Sequence, residues 1–262
     1  MGAKKKVAYS RKEGIVTLTI NRPAEKNMLE DETIAELTAH VLSLDQDDSA
    51  RVVIITGEGR DFFCGGIFNP LQMAELSPEQ IRIRRLRANE LFDRLEVLMH
   101  PVIAAINGRA QAGGFELALA CDIRVAASHV AFALPENSWG MFPGAGAPIR
   151  LPRIVGAGKA MEIIMTGWNL QAREALRIGL IDRMVSPAQF PAEVSRLAEA
   201  IAGSGPLGNR AVKKLARATL EMNMREGRAY SDALREPLAS SADTAEGIAA
   251  YREGRRPRYQ GR

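Results

Sequence analysis

The sequence predicts an α/β fold with a helical region at its C-terminal end. Runs rich in β-branched residues alternate with longer helical patterns over about the first 190 residues. Glycine and proline residues separate these segments. Beyond Gly158 the pattern is almost entirely helical. We therefore divide the 262-residue chain into an α/β core at 1–203 and a helical region at 204–262.

The first segments predict a strand, a helix and a second strand. Residues 14–20 alternate with β-branched positions and end at the turn Asn21-Arg22-Pro23. Apolar positions recur every three or four residues over 29–44, which predicts a helix. The run at 51–56 is almost continuously β-branched, as is typical of a strand covered on both faces.

The same alternation continues along the chain. A long helical pattern at 78–98 leads to a buried strand at 101–106, and a short apolar segment at 115–121 precedes strands at 122–127 and 130–133. Glycine and proline breaks then separate six predicted helices, at 158–165, 172–179, 190–203, 206–223, 226–241 and 243–254.

Composition and charge favour a water-soluble enzyme of the cytoplasm. Hydrophobic residues make up 46% of the chain and charged residues 25%, as in ordinary globular proteins. No apolar run reaches about eighteen residues, and no apolar signal core follows the N-terminal lysines, so we predict neither a membrane span nor export. The net charge of +4 slightly favours anionic partners without identifying them.

Cysteine and histidine usage predicts neither a disulfide nor a metal site. A chain of this length with ample apolar content needs no covalent staple, so Cys64 and Cys121 are expected to be free thiols. His40, His100 and His129 are scattered and lack the spacing of metal ligands.

Two glycine pairs are candidates for binding an anion. Gly65-Gly66 and Gly113-Gly114 each follow a predicted strand and lie near a helix start. Glycine allows close approach of a ligand to the backbone, and unpaired amides at a helix N-terminus carry partial positive charge. Together such loops can hold an oxyanion, although a tight turn is the commoner explanation of any single pair.

Two carboxylates near these loops are candidates for proton transfer. Glu116 interrupts an apolar segment just beyond Gly114, and burial would raise its pKa toward neutrality. Glu136 follows the strand at 130–133, at the edge of a loop rich in glycine and proline. Taken separately, a role with the helix dipole for Glu116 and a solvated loop charge for Glu136 are the commoner alternatives.

Together these motifs resemble the crotonase superfamily, also called the enoyl-CoA hydratase/isomerase family. The resemblance extends over nearly the whole chain. Its motifs are Asn21-Arg22-Pro23 with Asn27, and the segments 63–66, 101–108, 112–122, 132–136, 140–146, 166–167, 172–182 and 246–255.

The resemblance implies a crotonase-like spiral of ββα units and an acyl-CoA thioester substrate, with no permanently bound cofactor. It also implies a homotrimer, or a hexamer made of two trimers. It places the oxyanion-binding amides at Gly66 and Gly113. Members that hydrate enoyl-CoA have two glutamates at the positions of Glu116 and Glu136, which favours addition of water across the 2,3 double bond. The residues expected to contact the substrate are Gly66, Ile67, Phe68, Asn69, Gly113 and Gly140.

Three segments depart from the family pattern. Gly65-Gly66-Ile67 replaces the frequent Gly-Ala-Asp, and 27–30 and 146–148 also differ. The resemblance therefore does not predict which residues form the acyl-binding part of the pocket.

Other functions remain as alternatives. An enoyl-CoA isomerase or an acyl-CoA hydrolase of the same superfamily would depend mainly on one glutamate. The basic stretch at 81–87 is expected to be a solvated helix face, but it could flank a CoA phosphate or bind RNA, as at least one superfamily member does. Few aromatic residues and a modest net charge make nucleic acid the least favoured partner.

Two further motifs carry little weight. Cys64 lies beside a glycine loop, but no histidine near it in sequence could activate it as a nucleophile. The stretch at 156–159 completes neither type of phosphate-binding loop.

Overall fold

Two β-sheets form the centre of the protein. The computed structural model describes residues 5–262. Its strands are β1 (Val7–Lys12), β2 (Ile15–Ile20), β3 (Val52–Gly57), β4 (Phe62–Cys64), β5 (Val102–Ile106), β6 (Arg109–Gln111), β7 (Ile123–Ala127), β8 (Ala131–Ala133), β9 (Leu170–Gln171) and β10 (Arg183–Val185). One sheet has the order β1-β2-β3-β5-β7-β10, and the smaller one has the order β4-β6-β8-β9.

Helices surround the sheets and form the C-terminal part of the chain. They are α1 (Asp31–Leu44), α2 (Pro70–Glu75), α3 (Pro78–Val97), α4 (Gly113–Ala120), α5 (Ala147–Val155), α6 (Ala157–Thr166), α7 (Ala172–Arg177), α8 (Phe190–Ala202), α9 (Pro206–Ala218), α10 (Met224–Ala239) and α11 (Ala242–Glu253). Three short 3-10 helices lie at Pro23–Glu25, Pro135–Trp139 and Thr219–Glu221.

The longer predicted elements are confirmed within a few residues, while short or irregular ones were missed. β4 and β6 have three residues each, too few to show an alternating pattern. β1 is exposed over most of its length, so it carries no buried periodicity. α5 begins next to Gly146 and contains Pro152, both signals that predict a loop.

The chain builds the two sheets by repeating a strand-strand-helix unit. In each repeat the first strand joins the larger sheet and the second joins the smaller one: β3 and β4, then β5 and β6, then β7 and β8. The strands β3, β5 and β7 are parallel to one another, and so are β4, β6 and β8. This arrangement confirms the predicted spiral of ββα units.

Parallel pairing in the smaller sheet brings distant segments of sequence together. The carboxyl ends of β4, β6 and β8 lie at one edge of that sheet. The segments that follow these three strands carry Gly66, then Gly113 and Glu116, then Glu136. Residues expected to act together in catalysis therefore meet at one place.

Buried polar contacts fix the start of the first loop. Asn27 is fully buried with φ of 53°, a backbone conformation that asparagine tolerates better than most residues. Its side chain accepts from the Arg22 amide at 3.0 Å and donates to the Phe62 carbonyl at 2.7 Å. The turn after β2 is thereby tied to β4, the strand that precedes Gly66.

The C-terminal helices contact the core through buried charges on α9. The Lys213 ammonium donates to the carbonyls of Leu95 and His100, each at 3.0 Å, and pairs with Asp122 at 2.8 Å. Arg217 pairs with Asp122 and with Glu96, each at 2.7 Å. The division of the chain between 203 and 204 stays a prediction.

Within residues 5–262, no helix combines the length and the apolarity that crossing a bilayer would require.

Candidate active site

The two glycine loops lie against each other. A Cβ built on Gly66 would lie 3.0 Å from the Ala112 Cβ and 3.4 Å from the Gly113 amide nitrogen. A Cβ on Gly113 would lie 2.5 Å from the Ile67 Cγ1 atom. A side chain at Gly113 would clash with Ile67, and Gly66 has φ of 119°, a backbone conformation that residues with a Cβ rarely adopt, so glycine is favoured at both positions.

The turn before α4 orients the Gly113 amide. Ala112 has φ of 50° and ψ of −130°, which is unfavourable for a residue with a Cβ. Its amide donates to the Ala133 carbonyl at 2.9 Å, and its carbonyl accepts from Phe115 at 2.9 Å. In the described part of the chain, neither the Gly66 amide nor the Gly113 amide donates to a backbone carbonyl. Both can therefore bind an oxygen of a ligand.

Cys64 is a buried thiol behind the first loop. Burial raises the pKa of Cys64 to about 12, and the Gly66 amide beside the sulfur opposes this rise only in part. A thiol that is protonated at neutral pH is a poor nucleophile. This agrees with the sequence analysis, which disfavours Cys64 as a catalytic nucleophile. Sulfur is also a weak acceptor, so its proximity leaves the Gly66 amide available to a stronger one.

Glu116 projects from the first turn of α4 and is buried, with 2% of its surface exposed. Its Oε1 atom accepts hydrogen bonds from the amides of Ala145 at 2.8 Å and Ala147 at 3.0 Å. Burial raises the pKa of Glu116 to about 6, and the two amides and the Arg150 charge limit the rise. The carboxylate is thus held in one orientation and is largely ionised at neutral pH.

Arg150 fixes the loop that holds Glu116. Its buried guanidinium donates to the Ala145 carbonyl at 3.0 Å. It also pairs with Asp93 at 2.6 Å and with Glu96 at 3.0 Å, both on α3. The backbone of Ala145 is therefore held on both sides: its carbonyl accepts from Arg150, and its amide donates to Glu116.

Glu136 lies in the 3-10 helix that follows β8, and 8% of its surface is exposed. The commoner alternative of a solvated loop charge is therefore wrong for this residue. Its Oε2 atom is buried and has no hydrogen-bond partner among residues 5–262. Burial, and then the nearby Glu116 charge, raise the pKa of Glu136 to about 8. At neutral pH this carboxyl group is mainly protonated.

A cavity of about 680 Å³ brings the two glutamates together. Of the residues predicted to contact a substrate, Ile67, Phe68, Gly113 and Gly140 line it. Gly66 and Asn69 are not among the lining residues. Gly66 lies against Gly113, and Asn69 instead caps α2, where its Oδ1 atom accepts from the Gln72 amide at 2.9 Å.

Sequence reasoning missed most of the remaining wall. The apolar part comes from α2, α3, the end of the 3-10 helix, the loop that follows it and the start of α5, with side chains Met73, Ile81, Trp139, Met141, Phe142, Pro148 and Ile149. Arg85, one helical turn beyond Ile81, also lines the cavity. The four-residue spacing of Ile81 and Arg85 on α3 indicates that both lie on the same face of the helix, and this signal could have identified them together.

The basic stretch on α3 is only partly the solvated face that the sequence predicted. Arg84 is mostly buried and pairs with Asp31 at 2.7 Å. Arg82 pairs with Glu79 at 2.7 Å on the exposed side of the helix. The Arg85 side chain lines the cavity instead.

Across residues 5–262, no group of three or more histidine, cysteine, aspartate or glutamate side chains is arranged to hold a metal ion.

Comparison with known proteins identifies the family. A sequence model described as enoyl-CoA hydratase/isomerase matches residues 10–262. The chain belongs to the enoyl-CoA hydratase/isomerase family.

Members of this family resemble the chain over almost its full length. It is 34% identical over 246 residues to a short-chain-enoyl-CoA hydratase of Clostridium acetobutylicum, covering 94% of each protein. It is 33% identical over 253 residues to a crotonyl-CoA hydratase of Syntrophomonas wolfei, covering 97% of each. The crystal structure of an enoyl-CoA hydratase from Bacillus anthracis superposes with a TM-score of 0.95 at 33% identity, covering 98% of this chain and 100% of that one.

Proposed function

We propose that this protein is an enoyl-CoA hydratase, a lyase that reversibly adds water across the 2,3 double bond of an acyl-CoA thioester. One observation carries the proposal: two buried carboxyl groups line one cavity beside two glycine amides that, within residues 5–262, donate to no backbone carbonyl. The names of the two hydratase relatives support the same reaction.

The thioester oxygen would bind to the amides of Gly66 and Gly113. Accepting two N–H groups polarises the conjugated double bond and stabilises the enolate that forms when oxygen adds to the β-carbon. The Gly113 amide also lies at the N-terminus of α4, where the helix dipole favours negative charge. Loss of one such donor typically lowers the rate by about 100-fold or more.

Glu116 and Glu136 would share the water molecule. Glu116, ionised at neutral pH, takes a proton from the water as its oxygen attacks the β-carbon. Glu136, protonated at neutral pH, gives its proton to the α-carbon. Transfer of a proton from Glu116 to Glu136 then restores the starting state. The unpaired Oε2 atom of Glu136 supports this role, since a buried oxygen without a partner can bind water or substrate.

The same proposal covers assembly, cofactor use and location. Exposed apolar side chains on the C-terminal helices, such as Met224 (81% exposed) and Tyr251 (89%), support a homotrimer or a hexamer of two trimers. CoA enters as part of the substrate, and no permanently bound cofactor is needed for this chemistry. The free thiols Cys64 and Cys121 support a reducing compartment such as the cytoplasm.

Turnover of crotonyl-CoA tests the proposed reaction. We expect the absorbance of the conjugated thioester to fall on incubation with the enzyme. Glu116→Gln and Glu136→Gln should each lower kcat by about 100-fold or more, because each removes one proton-transfer group. Near-normal rates in either variant would reject the paired role. A gain of conjugated absorbance from a 3-enoyl-CoA, without loss from crotonyl-CoA, would indicate an isomerase instead.

A further inference from the structure

Helix α3 carries five arginines, and one of them differs from the rest in its partners. Arg82, Arg84, Arg87 and Arg94 each form an ion pair with a carboxylate, at distances of 2.7 to 3.4 Å. Arg85 forms none with any residue between 5 and 262. It is also the arginine of α3 that lines the cavity of Glu116 and Glu136.

The stem of the Arg85 side chain is held in place against the loop before α5. A Cβ built on Gly144 would lie 2.8 Å from the Arg85 Cδ atom, so the side chain crosses directly over this glycine. Asn89, one turn further along α3, donates to the Gly144 carbonyl at 3.2 Å and keeps helix and loop together. Arg85 is half-buried, and a side chain at position 144 would displace the Arg85 side chain from its present position.

Among residues 5–262, the Arg85 guanidinium forms no ion pair, either with Glu116 or with Glu136, the two acidic residues of the cavity lining. The nearby charge that lowers the pKa of Glu116 is that of Arg150, and the one that raises the pKa of Glu136 is that of Glu116. Other side chains of the lining are mainly apolar, including Met73, Ile81 and Ile149. An arginine in apolar surroundings presents a fork of N–H donors that matches a carboxylate.

We propose that Arg85 binds a carboxylate at the far end of the acyl chain, so that the preferred substrates are CoA monothioesters of dicarboxylic 2-enoic acids. This inference rests on the proposed function, because that function places the thioester at Gly66 and Gly113 and the reacting carbons at Glu116 and Glu136. Gly144, beneath Arg85, adjoins the Ala145 amide that holds Glu116. The acyl chain beyond the β-carbon can therefore extend along the cavity to the guanidinium.

Binding of unreactive thioesters tests the inference without turnover. Dissociation constants are measured by calorimetry for adipyl-CoA (the monothioester), hexanoyl-CoA and free CoA, which differ only in the acyl end. The proteins are the full chain, Arg85→Met, and the matched control Arg82→Met, which removes an exposed arginine from the same helix. We expect adipyl-CoA to bind more tightly than hexanoyl-CoA to the full chain and to the control. Arg85→Met should weaken adipyl-CoA alone, by about 10- to 100-fold.

Two outcomes would overturn the inference. Equal weakening of all three ligands by Arg85→Met would assign the guanidinium to a phosphate of CoA. Equal affinity of the full chain for adipyl-CoA and hexanoyl-CoA would show that no acyl carboxylate is recognised. Failure of the proposed function is a separate result, since it appears as absent turnover of crotonyl-CoA whatever these affinities are.

Discussion

Glu116 and Glu136 show how two identical side chains acquire different chemistry from their surroundings. Both are buried, but Glu116 accepts two backbone hydrogen bonds and lies within reach of the Arg150 charge. Glu136 has an unpaired oxygen and lies near the negative charge of Glu116. Burial raises both pKa values, and these local contacts separate them to about 6 and about 8.

The pH dependence of hydration follows from this separation. Below about pH 6 Glu116 is protonated and cannot accept a proton, and above about pH 8 Glu136 is ionised and cannot donate one. We therefore expect kcat/KM for crotonyl-CoA to be bell-shaped, with its maximum near pH 7. Because a CoA phosphate also titrates near pH 6, the control substrate is crotonyl-pantetheine, which lacks phosphates. A profile that is flat from pH 5 to 9 with both substrates would contradict the assignment.

Helix α4 contributes both an oxyanion-binding amide and a carboxylate to the candidate site. Its first residue supplies the Gly113 amide, and its fourth supplies Glu116. Gly114, between them, packs directly on the first loop: a Cβ there would lie 2.1 Å from the carbonyl oxygen of Cys64. The distance between the two loops is therefore limited by contact between backbone atoms.

Gly114→Ala should be strongly destabilising because the backbone of Cys64 cannot give way as a flexible side chain would. We expect the free energy of unfolding to fall by about 3 kcal/mol or more. Gly158→Ala is the matched control, since Gly158 lies in α6 with nothing within 4 Å of its built Cβ. That change should raise stability by about 0.5–1 kcal/mol through the helix preference of alanine. Denaturant unfolding measures the free energy of unfolding of both variants. Equal changes in the two variants would show that α4 can shift away from Cys64 at little cost.

Buried and partly buried ion pairs connect the C-terminal helices to the core. Lys213 on α9 is held by the carbonyls of Leu95 and His100 and by Asp122, while Arg217 binds Asp122 and Glu96. Glu96 also pairs with Arg150, which holds the loop around Glu116. A chain of contacts thus extends from α9 to the candidate site.

Lys213→Met tests whether the two parts of the chain unfold together. The change leaves two buried carbonyls without a donor and removes one of the two cations that pair with Asp122, so we expect a loss of about 3 kcal/mol or more in the free energy of unfolding. Lys214→Met, at the exposed neighbour, should change stability by less than about 0.5 kcal/mol. A single cooperative transition that shifts as a whole is the expected result. An unchanged transition of the core would support the predicted division between 203 and 204 as two independent units.

Patterns along the chain were sufficient to predict the fold class, the long elements and the candidate residues of the site. Glu116 could be predicted to be buried because it interrupts an apolar segment, and the glycine pairs, taken together with the family resemblance, predicted an oxyanion site at Gly66 and Gly113. Such features depend on neighbours close in the chain, and local sequence records them directly. For Glu136, the commoner alternative from sequence was a solvated loop charge, because charges beside glycine- and proline-rich loops are usually exposed.

The three-dimensional fold was needed to show which groups meet and what each of them can do. The parallel pairing of β4, β6 and β8 brings residues 66, 113 and 136 to one sheet edge, although each strand has only three residues and β4 and β6 were not predicted from the sequence. The amides of Ala145 and Ala147, the charge of Arg150 and the unpaired Arg85 act on the cavity from elements far away in sequence. A pKa or an ion pair depends on distances in space, so a pattern along the chain cannot specify it.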